Sequence, residues 1–250
     1  MKSKPVRVLV VDNDAAMRRT LRASLAVQGY LVFEARSGEE ALEEIVRHPA
    51  DLVLLDIEMP GIGGLETCRR LRNMAPQAGV VMVTVCDSEE DMIRALEAGA
   101  DDYITKPFSI RELMARMSAI SRRLRVGQPS SSAVPLKVGD LELDLDRRIL
   151  RRAGTEVHLS PTEFSLLSYL MQHANTAIEH GKLLRAIWGP EYGSELEYLR
   201  TYIKRLRRKI EDDAINPEYL VTVPWLGYRF RDPSATLSLA PERIAAASAD

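Results

Sequence analysis

The stretch Asp51-Leu-Val-Leu-Leu-Asp56-Ile-Glu-Met-Pro60 holds a continuous apolar run between two carboxylates. A short run of this kind is typical of a strand that is buried on both faces of a parallel sheet. The run ends at Asp56, just before the turn signal Met59-Pro60-Gly61. In open parallel sheets, ligands bind in the crevice beyond the carboxyl ends of the strands. A lone aspartate at a strand end usually only begins a loop, so the function of Asp56 depends on the other strand ends.

Strand and helix patterns alternate five times between residues 6 and 125. The predicted strands are residues 6–11, 30–35, 52–55, 80–85 and 103–105. The predicted helices, with apolar residues at helical spacing, are residues 16–28, 38–48, 64–74, 88–98 and 110–125. This alternation predicts an α/β fold, with a doubly wound five-stranded parallel sheet of the flavodoxin-like type and helices on both faces.

Polar side chains follow four of these strands, at Asp12-Asn13, Asp56, Thr84 and Lys106-Pro107. If the first and third strands flank the switch point of the sheet, these groups converge on one crevice. Carboxylates crowded there repel one another until a cation binds, and Mg²⁺ prefers oxygen ligands. Such a site is equipped for phosphoryl transfer to Asp56, with Lys106 neutralising the phosphoryl oxygens and Thr84 donating a hydrogen bond to one of them.

The first half of the sequence resembles the receiver domain of bacterial two-component response regulators over residues 6–125. The motifs that carry the resemblance are Asp12, Asp56, Met59-Pro60, Gly64, Thr84, Tyr103 and Lys106-Pro107-Phe108. The resemblance implies that a cognate histidine kinase phosphorylates Asp56. The implied phosphoryl contacts and switch residues are Thr84, Lys106 and Tyr103. The implied Mg²⁺ ligands are Asp12, Asn13, Asp56 and the backbone carbonyl of Glu58.

Two positions depart from the family pattern. The second metal-binding acid after the first strand is Asn13 here, which can coordinate through its amide oxygen but carries no negative charge. Val85 stands where the family usually has a small residue. We therefore expect weak Mg²⁺ affinity and slow phosphorylation, and the alternative function is DNA-binding regulation without phosphorylation. A metal-dependent phosphohydrolase with Glu58 as the acid is disfavoured, because no cap domain is evident in the sequence.

The segment from Ala100 to Phe108 resembles the OmpR/PhoB class of response regulators in particular. Members of this class form a symmetric homodimer through a charged face on the fourth and fifth helices. The matching positions, called the dimer face below, are Glu97, Asp101, Asp102, Glu112, Arg116 and Arg123. The alternative is an ordinary solvated helix face, on which exposed ion pairs contribute less than about 1 kcal/mol each.

Residues 122–135 are predicted to link the receiver-like domain, residues 1–121, to a second domain at residues 136–231. Their Gly, Pro and Ser content predicts a flexible linker, and the Ala- and Ser-rich residues 232–250 predict a disordered tail. Antiparallel strands are predicted at residues 136–145, 147–152 and 157–159. Helices are predicted from a capped start at Ser160 and at residues 180–188 and 194–211, followed by a hairpin of residues 219–223 and 228–231.

The last predicted helix carries six bases and, between Leu199 and Lys209, no acid. Such a helix suits the major groove of double-stranded DNA. The domain resembles the α+β winged-helix DNA-binding domain of the OmpR/PhoB class through Leu159–Phe164, Leu184–Trp188, Leu206–Ile210 and Gly227–Phe230. Within that class, Trp188–Tyr192 and Tyr198–Tyr202 resemble the KdpE-like members most. The implied DNA-binding residues are Arg200, Thr201, Lys204, Arg205, Arg207, Arg208, Thr222 and Arg229. In the wing, Pro224-Trp225 stands where many members place an arginine for the minor groove.

Composition and charge limit the function classes. Acids outnumber bases in residues 1–120, whereas bases outnumber acids in residues 121–231, so the second half suits a polyanionic partner. No apolar run approaches the roughly 20 residues of a membrane span, and Met1-Lys-Ser-Lys4 leads directly into a strand, so we expect a cytoplasmic protein. Cys68 and Cys86 lack metal-ligand spacing and are expected to be reduced and partly buried, with a redox pair as the alternative.

The sequence thus predicts a non-enzymatic transcription regulator. Its receiver is expected to dimerise when Asp56 is phosphorylated, which would bring two winged helices onto tandem DNA half-sites. The expected partners are double-stranded DNA, a cognate histidine kinase and a second copy of the chain, with RNA polymerase as a further candidate. No membrane partner is expected.

Overall fold

Two domains are visible in the computed structural model, which describes residues 5–85, 88–125 and 134–232. The strands of the first domain are β1 (Arg7–Val11), β2 (Leu31–Ala35), β3 (Leu52–Asp56), β4 (Gly79–Thr84) and β5 (Asp102–Thr105). Its helices are α1 (Ala15–Val27), α2 (Gly38–Arg47), α3 (Gly63–Met74), α4 (Glu89–Ala98) and α5 (Ile110–Arg125). The strands form one parallel sheet in the order β2-β1-β3-β4-β5. The predicted doubly wound α/β fold is confirmed.

The sheet is buried on both faces because helices cover each of them. Every residue of β3 and β4 is buried, and successive residues of β3 belong to two separate apolar cores. Val53 and Leu55 lie in one core, whereas Leu52 and Leu54 lie in the other. Since β1 lies between β2 and β3, the carboxyl ends of β1 and β3 are adjacent at the switch point of the sheet.

The second domain combines two small antiparallel sheets with three helices. One sheet contains β6 (Leu136–Val138), β7 (Leu141–Asp144), β8 (Ile149–Arg152) and β9 (Thr155–Val157). The other contains β10 (Ala177–Glu179), β11 (Leu220–Val223) and β12 (Gly227–Phe230). The helices are α6 (Pro161–Gln172), α7 (His180–Ile187) and α8 (Leu196–Ile210). The predicted DNA-reading helix is α8, and the hairpin of β11 and β12 is called the wing below.

Three strands of the second domain differ from the sequence prediction. The strand predicted at residues 136–145 is divided into β6 and β7, because Gly139, with a φ of 57°, lies in a turn between them. The strand predicted at residues 157–159 lies instead at Thr155–Val157, where it pairs with β8. β10 was not predicted at all, since three residues that pair with β12 are too few to show a strand periodicity.

The N-terminus of α6 fixes the position of α8. Ser160 and Glu163 form a capping box, in which Ser160 Oγ accepts from the Glu163 N–H and the Glu163 carboxylate accepts from the Ser160 N–H. The same buried carboxylate pairs with Arg205 Nε at 2.9 Å and with Lys209 Nζ at 2.7 Å, both on α8. Burial alone would raise the pKa of Glu163, but these two cations outweigh it and lower the pKa. Glu163 is therefore a charged tie between two helices.

Cys68 on α3 is a free thiol without exposed surface. Burial raises the pKa of this thiol to about 11, so it stays protonated and unreactive at neutral pH. Cys68 was expected to be partly buried and is in fact fully buried, because it faces the apolar core beneath α3. Cys86, for which the same was expected, lies outside the described residues.

The domain boundaries after residues 121, 135 and 231 remain predictions. α5 continues to Arg125, which is four residues into the predicted linker. Residues 126–133 of that linker and residues 233–250 of the predicted tail lie outside the described residues. In the described ranges, no helix is both long enough and apolar enough to cross a membrane.

We predict that Glu163→Ala lowers the free energy of unfolding of the second domain by about 3 kcal/mol or more, because it leaves the buried charge of Arg205 without its carboxylate partner. Both tryptophans of the chain, Trp188 and Trp225, lie in this domain, so urea unfolding followed by tryptophan fluorescence reports on it. The matched control is Glu156→Ala, at an exposed carboxylate of β9, which should cost less than about 1 kcal/mol. Equal unfolding midpoints for the two variants would contradict the role assigned to Glu163.

Candidate functional site

Two carboxylates and one ammonium group meet at the carboxyl edge of the parallel sheet. Asp12 follows β1, Asp56 ends β3, and Lys106 follows β5 at a cis peptide bond to Pro107. Lys106 Nζ donates to Asp12 Oδ2 and to Asp56 Oδ2, both at 2.9 Å. Of the four strand ends that the sequence placed in one crevice, hydrogen bonds thus join three, through Asp12, Asp56 and Lys106.

Burial and the neighbouring charges have opposite effects on the pKa of Asp56 and on the pKa of Lys106. Asp56 is 5% exposed, and burial raises the pKa of its carboxyl group in spite of the nearby Lys106. For Lys106, burial would lower the pKa, but the hydrogen bonds to Asp12 and Asp56 outweigh it and the pKa is raised. Lys106 therefore remains a cation that screens two crowded carboxylates from each other.

Backbone groups orient the two carboxylates. The Asp14 N–H donates to Asp12 Oδ1 at 2.7 Å, and the Glu58 N–H donates to Asp56 Oδ1 at 3.2 Å. Arg18 Nη1 donates to the Asp12 carbonyl at 2.7 Å, a contact that no sequence motif indicated. Asp14 itself caps α1, where its carboxylate accepts from the Ala16 N–H. Asp14 is therefore not available to take the place of the metal-binding acid that Asn13 replaces.

The remaining predicted residues surround this edge at different depths. Asn13 is exposed beside Asp12, and Thr84, at the end of β4, is fully buried. The Thr84 carbonyl accepts from the Lys106 N–H at 2.6 Å, which joins the ends of β4 and β5. The side chain of Tyr103 is buried within β5, with 6% exposed, and Val85 is 57% exposed. The roles assigned to these side chains remain predictions.

The donor groups at this edge suit a hard cation. Carboxylate, amide and carbonyl oxygens are available from Asp12, Asp56, Asn13 and the Glu58 backbone, and Mg²⁺ prefers such oxygen ligands. In the part of the chain that the structure describes, no three His, Cys, Asp or Glu side chains come together as a metal site. The residues therefore fit Mg²⁺ with one fewer negative charge than a site with a third carboxylate would have.

The dimer face lies against the second domain in this structure. Asp101 has no exposed surface and accepts from Ser160 Oγ at 3.0 Å and from the Thr162 N–H at 3.1 Å, both at the start of α6. It also pairs with Arg72 of α3 and accepts from the Val80 N–H at 3.0 Å. Burial would raise the pKa of Asp101, but Arg72 and these hydrogen bonds lower it.

Asp102 is the centre of a second buried group of contacts. It pairs with Arg116 Nη1 at 3.0 Å and accepts from the hydroxyls of Tyr192 at 3.1 Å and Tyr198 at 3.3 Å. Arg116 also contacts the Tyr192 hydroxyl. Burial raises the pKa of the Tyr192 and Tyr198 hydroxyls far above the ordinary range, so both remain protonated donors toward Asp102.

The outer part of the dimer face is also engaged. Arg123 donates to the Ile187 carbonyl at 2.9 Å and to Thr162 Oγ1 at 2.7 Å, and Glu97 pairs with Lys204 of α8 at 2.6 Å. Glu112 differs, since its ion pair is with Arg116 of its own helix. The dimer-face residues that contact the second domain are Glu97, Asp101, Asp102, Arg116 and Arg123.

The predicted DNA-reading helix is partly covered by the first domain. Arg205 is 9% exposed and donates to the Leu96 carbonyl at 2.9 Å, while the Tyr202 hydroxyl donates to the Ala100 carbonyl at 2.5 Å. Thr201 is buried as well, and Lys204 is held by Glu97. The predicted DNA-binding residues that remain exposed on the surface are Arg200, Lys204, Arg208 and Thr222, although Lys204 is paired with Glu97.

Arg207 has a different position from the one expected of a phosphate contact. It is half-buried and donates to the Leu220 carbonyl at 2.9 Å and to Thr222 Oγ1 at 2.8 Å. Burial lowers the pKa of its guanidinium group. Arg207 therefore joins α8 to the wing, whereas Arg229, on β12, is partly exposed. Their DNA contacts remain predictions.

Sequence reasoning missed the contacts between the domains. Tyr192, Tyr198, Tyr202 and Thr162 were not singled out for contacts to the first domain, although all four hydrogen bond to it. One usable signal was present, since Tyr198 and Tyr202 are four residues apart and thus share one side of a helix that is otherwise basic. Two phenols on one face of such a helix indicate a buried polar surface.

Known proteins resemble both domains of the chain. Residues 8–118 match the family described as "Response regulator receiver domain", and residues 154–230 match "Transcriptional regulatory protein, C terminal". The transcriptional regulatory protein KdpE of Mycobacterium tuberculosis is 39% identical over 223 residues, which cover 89% of this chain and 98% of KdpE. The response regulator MprA of Mycolicibacterium vanbaalenii is 38% identical over 228 residues, which cover 91% of this chain and 98% of MprA.

Solved structures of full-length relatives are also similar. DrrB of Thermotoga maritima, described as an OmpR/PhoB homologue, is 31% identical, and the match covers 91% of this chain and 100% of DrrB with a TM-score of 0.50. A mutant of RitR is 27% identical, and the match covers 91% of this chain and 99% of RitR with a TM-score of 0.75. The higher score against RitR requires both domains to superpose together.

We predict that Asp102→Asn loosens the contact between the domains, because the hydroxyls of Tyr192 and Tyr198 in the second domain lose a charged acceptor. The loss should weaken the contact by about 2 kcal/mol. The radius of gyration from small-angle X-ray scattering should then increase. Glu112→Gln removes an acid from the same face whose ion pair is with Arg116 of its own helix, and it should leave the radius unchanged. An unchanged radius in both variants would argue against a closed arrangement held by Asp102.

Proposed function

The chain belongs to the OmpR/PhoB family of two-component response regulators, and on that basis we propose that phosphorylation of Asp56 by a histidine kinase controls DNA binding by α8. Proteins of this family regulate transcription through a receiver domain and a C-terminal DNA-binding domain. The observation that carries the proposal is the pair of 2.9 Å hydrogen bonds from Lys106 to Asp12 and Asp56.

The geometry supports Asp56 as the phosphoryl acceptor. A carboxylate oxygen of Asp56 attacks phosphorus, and the bond to the donor's leaving group breaks with its electron pair going to that group. Lys106 already lies against Asp56 and can neutralise the new phosphoryl oxygens without a large movement. Mg²⁺, held by Asp12, Asn13, Asp56 and the Glu58 carbonyl, would supply further positive charge when bound.

The product places more negative charge in a crowded site. A phosphoryl group carries about −1.5 to −2 charges, and Asp12 accepts a hydrogen bond from the same ammonium group. Lys106 must therefore redistribute its contacts between Asp12 and the phosphoryl group. Since Lys106 directly follows β5, a change in its position acts on the strand that begins with Asp102.

The contact between the domains determines whether α8 and the dimer face are accessible to partners, and phosphorylation could control that contact. In the closed arrangement, α8 and the dimer face cover each other, so neither DNA binding by Arg205 nor dimerisation through Asp101 is open to a partner. Phosphorylation would act by shifting the population toward separated domains. Reversing a ratio of 99:1 requires about 5.5 kcal/mol, which is within reach of several charge-assisted hydrogen bonds.

The separated protein would use both surfaces together. Two receivers joined through the dimer face would hold two winged helices on tandem DNA half-sites about one helical turn apart. Linking two modest DNA contacts in this way raises the overall affinity. The proposed partners are therefore DNA, a histidine kinase and a second copy of the chain, with RNA polymerase as a further candidate.

One observation favours a second candidate, which is DNA-binding regulation without phosphorylation. Asn13 is exposed and uncharged at a position where a carboxylate would strengthen Mg²⁺ binding. In that case the receiver would hold α8 closed until another signal separates the domains. The two candidates differ in whether Asp56 accepts a phosphoryl group at an ordinary Mg²⁺ concentration.

We predict that the wild-type protein is phosphorylated on Asp56 only at a raised Mg²⁺ concentration, because one metal ligand is an amide. Intact-mass measurement after incubation with a small phosphodonor over a Mg²⁺ series gives the concentration for half-maximal labelling. Asn13→Asp should lower that concentration by roughly tenfold, since the charge of the ligands sets affinity. Ala15→Asp adds the same charge in the first turn of α1 and is the matched control.

In the same experiment, Asp56→Asn should show no phosphate. If the wild-type protein is not labelled at any Mg²⁺ concentration while Asn13→Asp is labelled, phosphorylation is lost in this chain and the second candidate holds. Equal Mg²⁺ dependence of Asn13→Asp and Ala15→Asp would contradict a role for residue 13 in metal binding.

We predict that Tyr192→Phe increases DNA affinity in the absence of a phosphodonor. The variant removes a hydroxyl that donates to the buried Asp102, so it should weaken the closed arrangement by about 1 kcal/mol and raise affinity about fivefold. Tyr192 lies before α8, so a DNA contact of that helix is not removed. Tyr169→Phe, which changes a tyrosine packed on His173, is the control and should leave affinity unchanged. Fluorescence anisotropy with a labelled duplex measures both, and equal affinities would refute the proposed competition.

A further inference from the structure

The tip of the wing presents a fully exposed tryptophan. Trp225 lies between β11 and β12 with a relative exposure of 103%, the highest of the large apolar side chains in the described ranges. Trp188, in contrast, has no exposed surface. A tryptophan that is excluded from the core makes no contribution to folding through burial, although its side chain is the largest apolar one available.

The backbone at Trp225 is unfavourable for a tryptophan. Its φ is 65°, and the Leu226 N–H donates to the Val223 carbonyl at 3.2 Å, which closes a four-residue turn. Pro224 fixes a negative φ at the second position of this turn, so a positive φ at the third position makes it a type II turn, in which glycine or asparagine is favoured. A bulky residue in this conformation is strained, and strain that the fold does not require marks a functional position.

The wing is fixed beside the DNA-reading helix. Arg207 of α8 donates to both Leu220 and Thr222 of β11, and Thr222 faces Tyr228 across the hairpin. Trp225 is therefore carried on the same rigid body as α8. The major groove is bordered by the phosphate backbone, and the minor groove lies on the other side of that backbone. A hairpin packed directly beside a helix in the major groove therefore lies over the backbone and points toward the neighbouring minor groove.

The charge around the wing favours DNA over a protein surface. Residues 220–230 include Arg229 and no acid. Near Tyr228 of the wing lie two bases, Arg207 and Arg200, and one acid, Glu197. The exposed apolar surface at the tip is small, since it consists of Trp225 and the 38% exposed Leu226. Protein docking sites usually present a much wider apolar patch, whereas a narrow apolar tip between bases suits a groove.

We propose that Trp225 is an apolar wedge that enters the DNA minor groove and packs against the sugars and base edges there. The inference rests on DNA binding by α8 but not on phosphorylation of Asp56. Apolar side chains that enter this groove partly unstack a base step and bend the duplex. Trp225 thereby selects deformable sites and takes over the anchoring that a basic wing residue would provide.

The test uses the full-length protein and a duplex enriched from a random-sequence library by the wild-type protein. Trp225→Gly should weaken binding about tenfold, within the range measured for loss of an aromatic contact to a base. Glycine accepts the positive φ, so this variant should keep or raise the thermal midpoint, and a loss of binding is then not a loss of folding. Ile215→Ala, at an 87% exposed apolar side chain outside the wing, is the matched control and should bind as the wild type does.

The two tryptophans provide an independent measurement. Acrylamide quenches exposed tryptophan, so in the free protein the quenching comes from Trp225, while Trp188 is shielded. Saturation with the duplex should reduce the quenching constant several-fold. Replacing guanine by inosine beneath the wing removes only the minor-groove amino group. This replacement should change the affinity of the wild-type protein and leave that of Trp225→Gly unaffected.

The possible failures can be told apart. If the wild-type protein retains no duplex but Tyr192→Phe does, the closed arrangement covers α8, and Trp225→Gly is compared in the Tyr192→Phe background. If neither protein retains a duplex, DNA binding by α8 fails, and the wedge fails with it. If the duplex binds but Trp225 remains open to acrylamide, or if Trp225→Gly binds within twofold of the wild type, the wedge is refuted and DNA binding stands. Reduced transcription with unchanged DNA affinity would assign Trp225 to a protein partner and would also overturn the proposal.

Discussion

Two adjacent carboxylates at the start of β5, Asp101 and Asp102, are buried without exposed surface, and the rest of the structure depends on how they are compensated. A buried carboxylate is costly unless it is paired and fully hydrogen bonded. Asp101 is compensated by Arg72 of its own domain and by Ser160 and Thr162 of the other. Removing the second domain would therefore expose Asp101 and take away the hydrogen bonds that it accepts from Ser160 and Thr162. The closed arrangement has a polar part, whose hydrogen bonds water can replace when the domains separate, and an apolar part, since buried apolar residues of the two domains belong to one cluster.

This arrangement brings the predicted phosphorylation site close to the domain contact. Asp102 begins β5 and Lys106 directly follows its last residue, so the two groups are roughly 13 Å apart along one short strand. Lys106 senses the charge on Asp56, and Asp102 holds Tyr192 and Tyr198. A strand with a charged group at each end is a physical connection through which the charge on Asp56 can act on the contact between the domains.

Much of the first domain could be predicted because its signals are local. The apolar run of residues 52–55 identified a buried strand, and the polar residues that end neighbouring strands indicated a shared crevice. The capping box at Ser160 was likewise visible in four residues. The second use of Glu163, as the partner of Arg205 and Lys209, was not predictable. A contact between residues more than forty positions apart leaves no periodic pattern in either segment.

The same limit applies to the dimer face and to the wing. Sequence identified Asp101, Asp102 and Arg123 as charged positions, but it could not show that they face the second domain, since that depends on how two folded bodies meet. The alternating leucines of residues 136–145 predicted one continuous strand, but Gly139 lies in a turn that divides it into β6 and β7. The exposure and positive φ of Trp225 are likewise properties of the folded turn, although Pro224-Trp225 was noted as an unusual pair.

The central claim is that phosphorylation of Asp56 separates the domains. The most direct test is the distance between spin labels at Arg94→Cys on α4 and Ile215→Cys after α8, in a Cys86→Ser background where the buried Cys68 stays unlabelled. Labelled protein diluted in unlabelled protein restricts the measurement to single chains. One narrow distance without phosphodonor, replaced by a broad and longer distribution once intact mass shows phosphate on Asp56, is the predicted result. An unchanged distance on the phosphorylated protein would contradict the account.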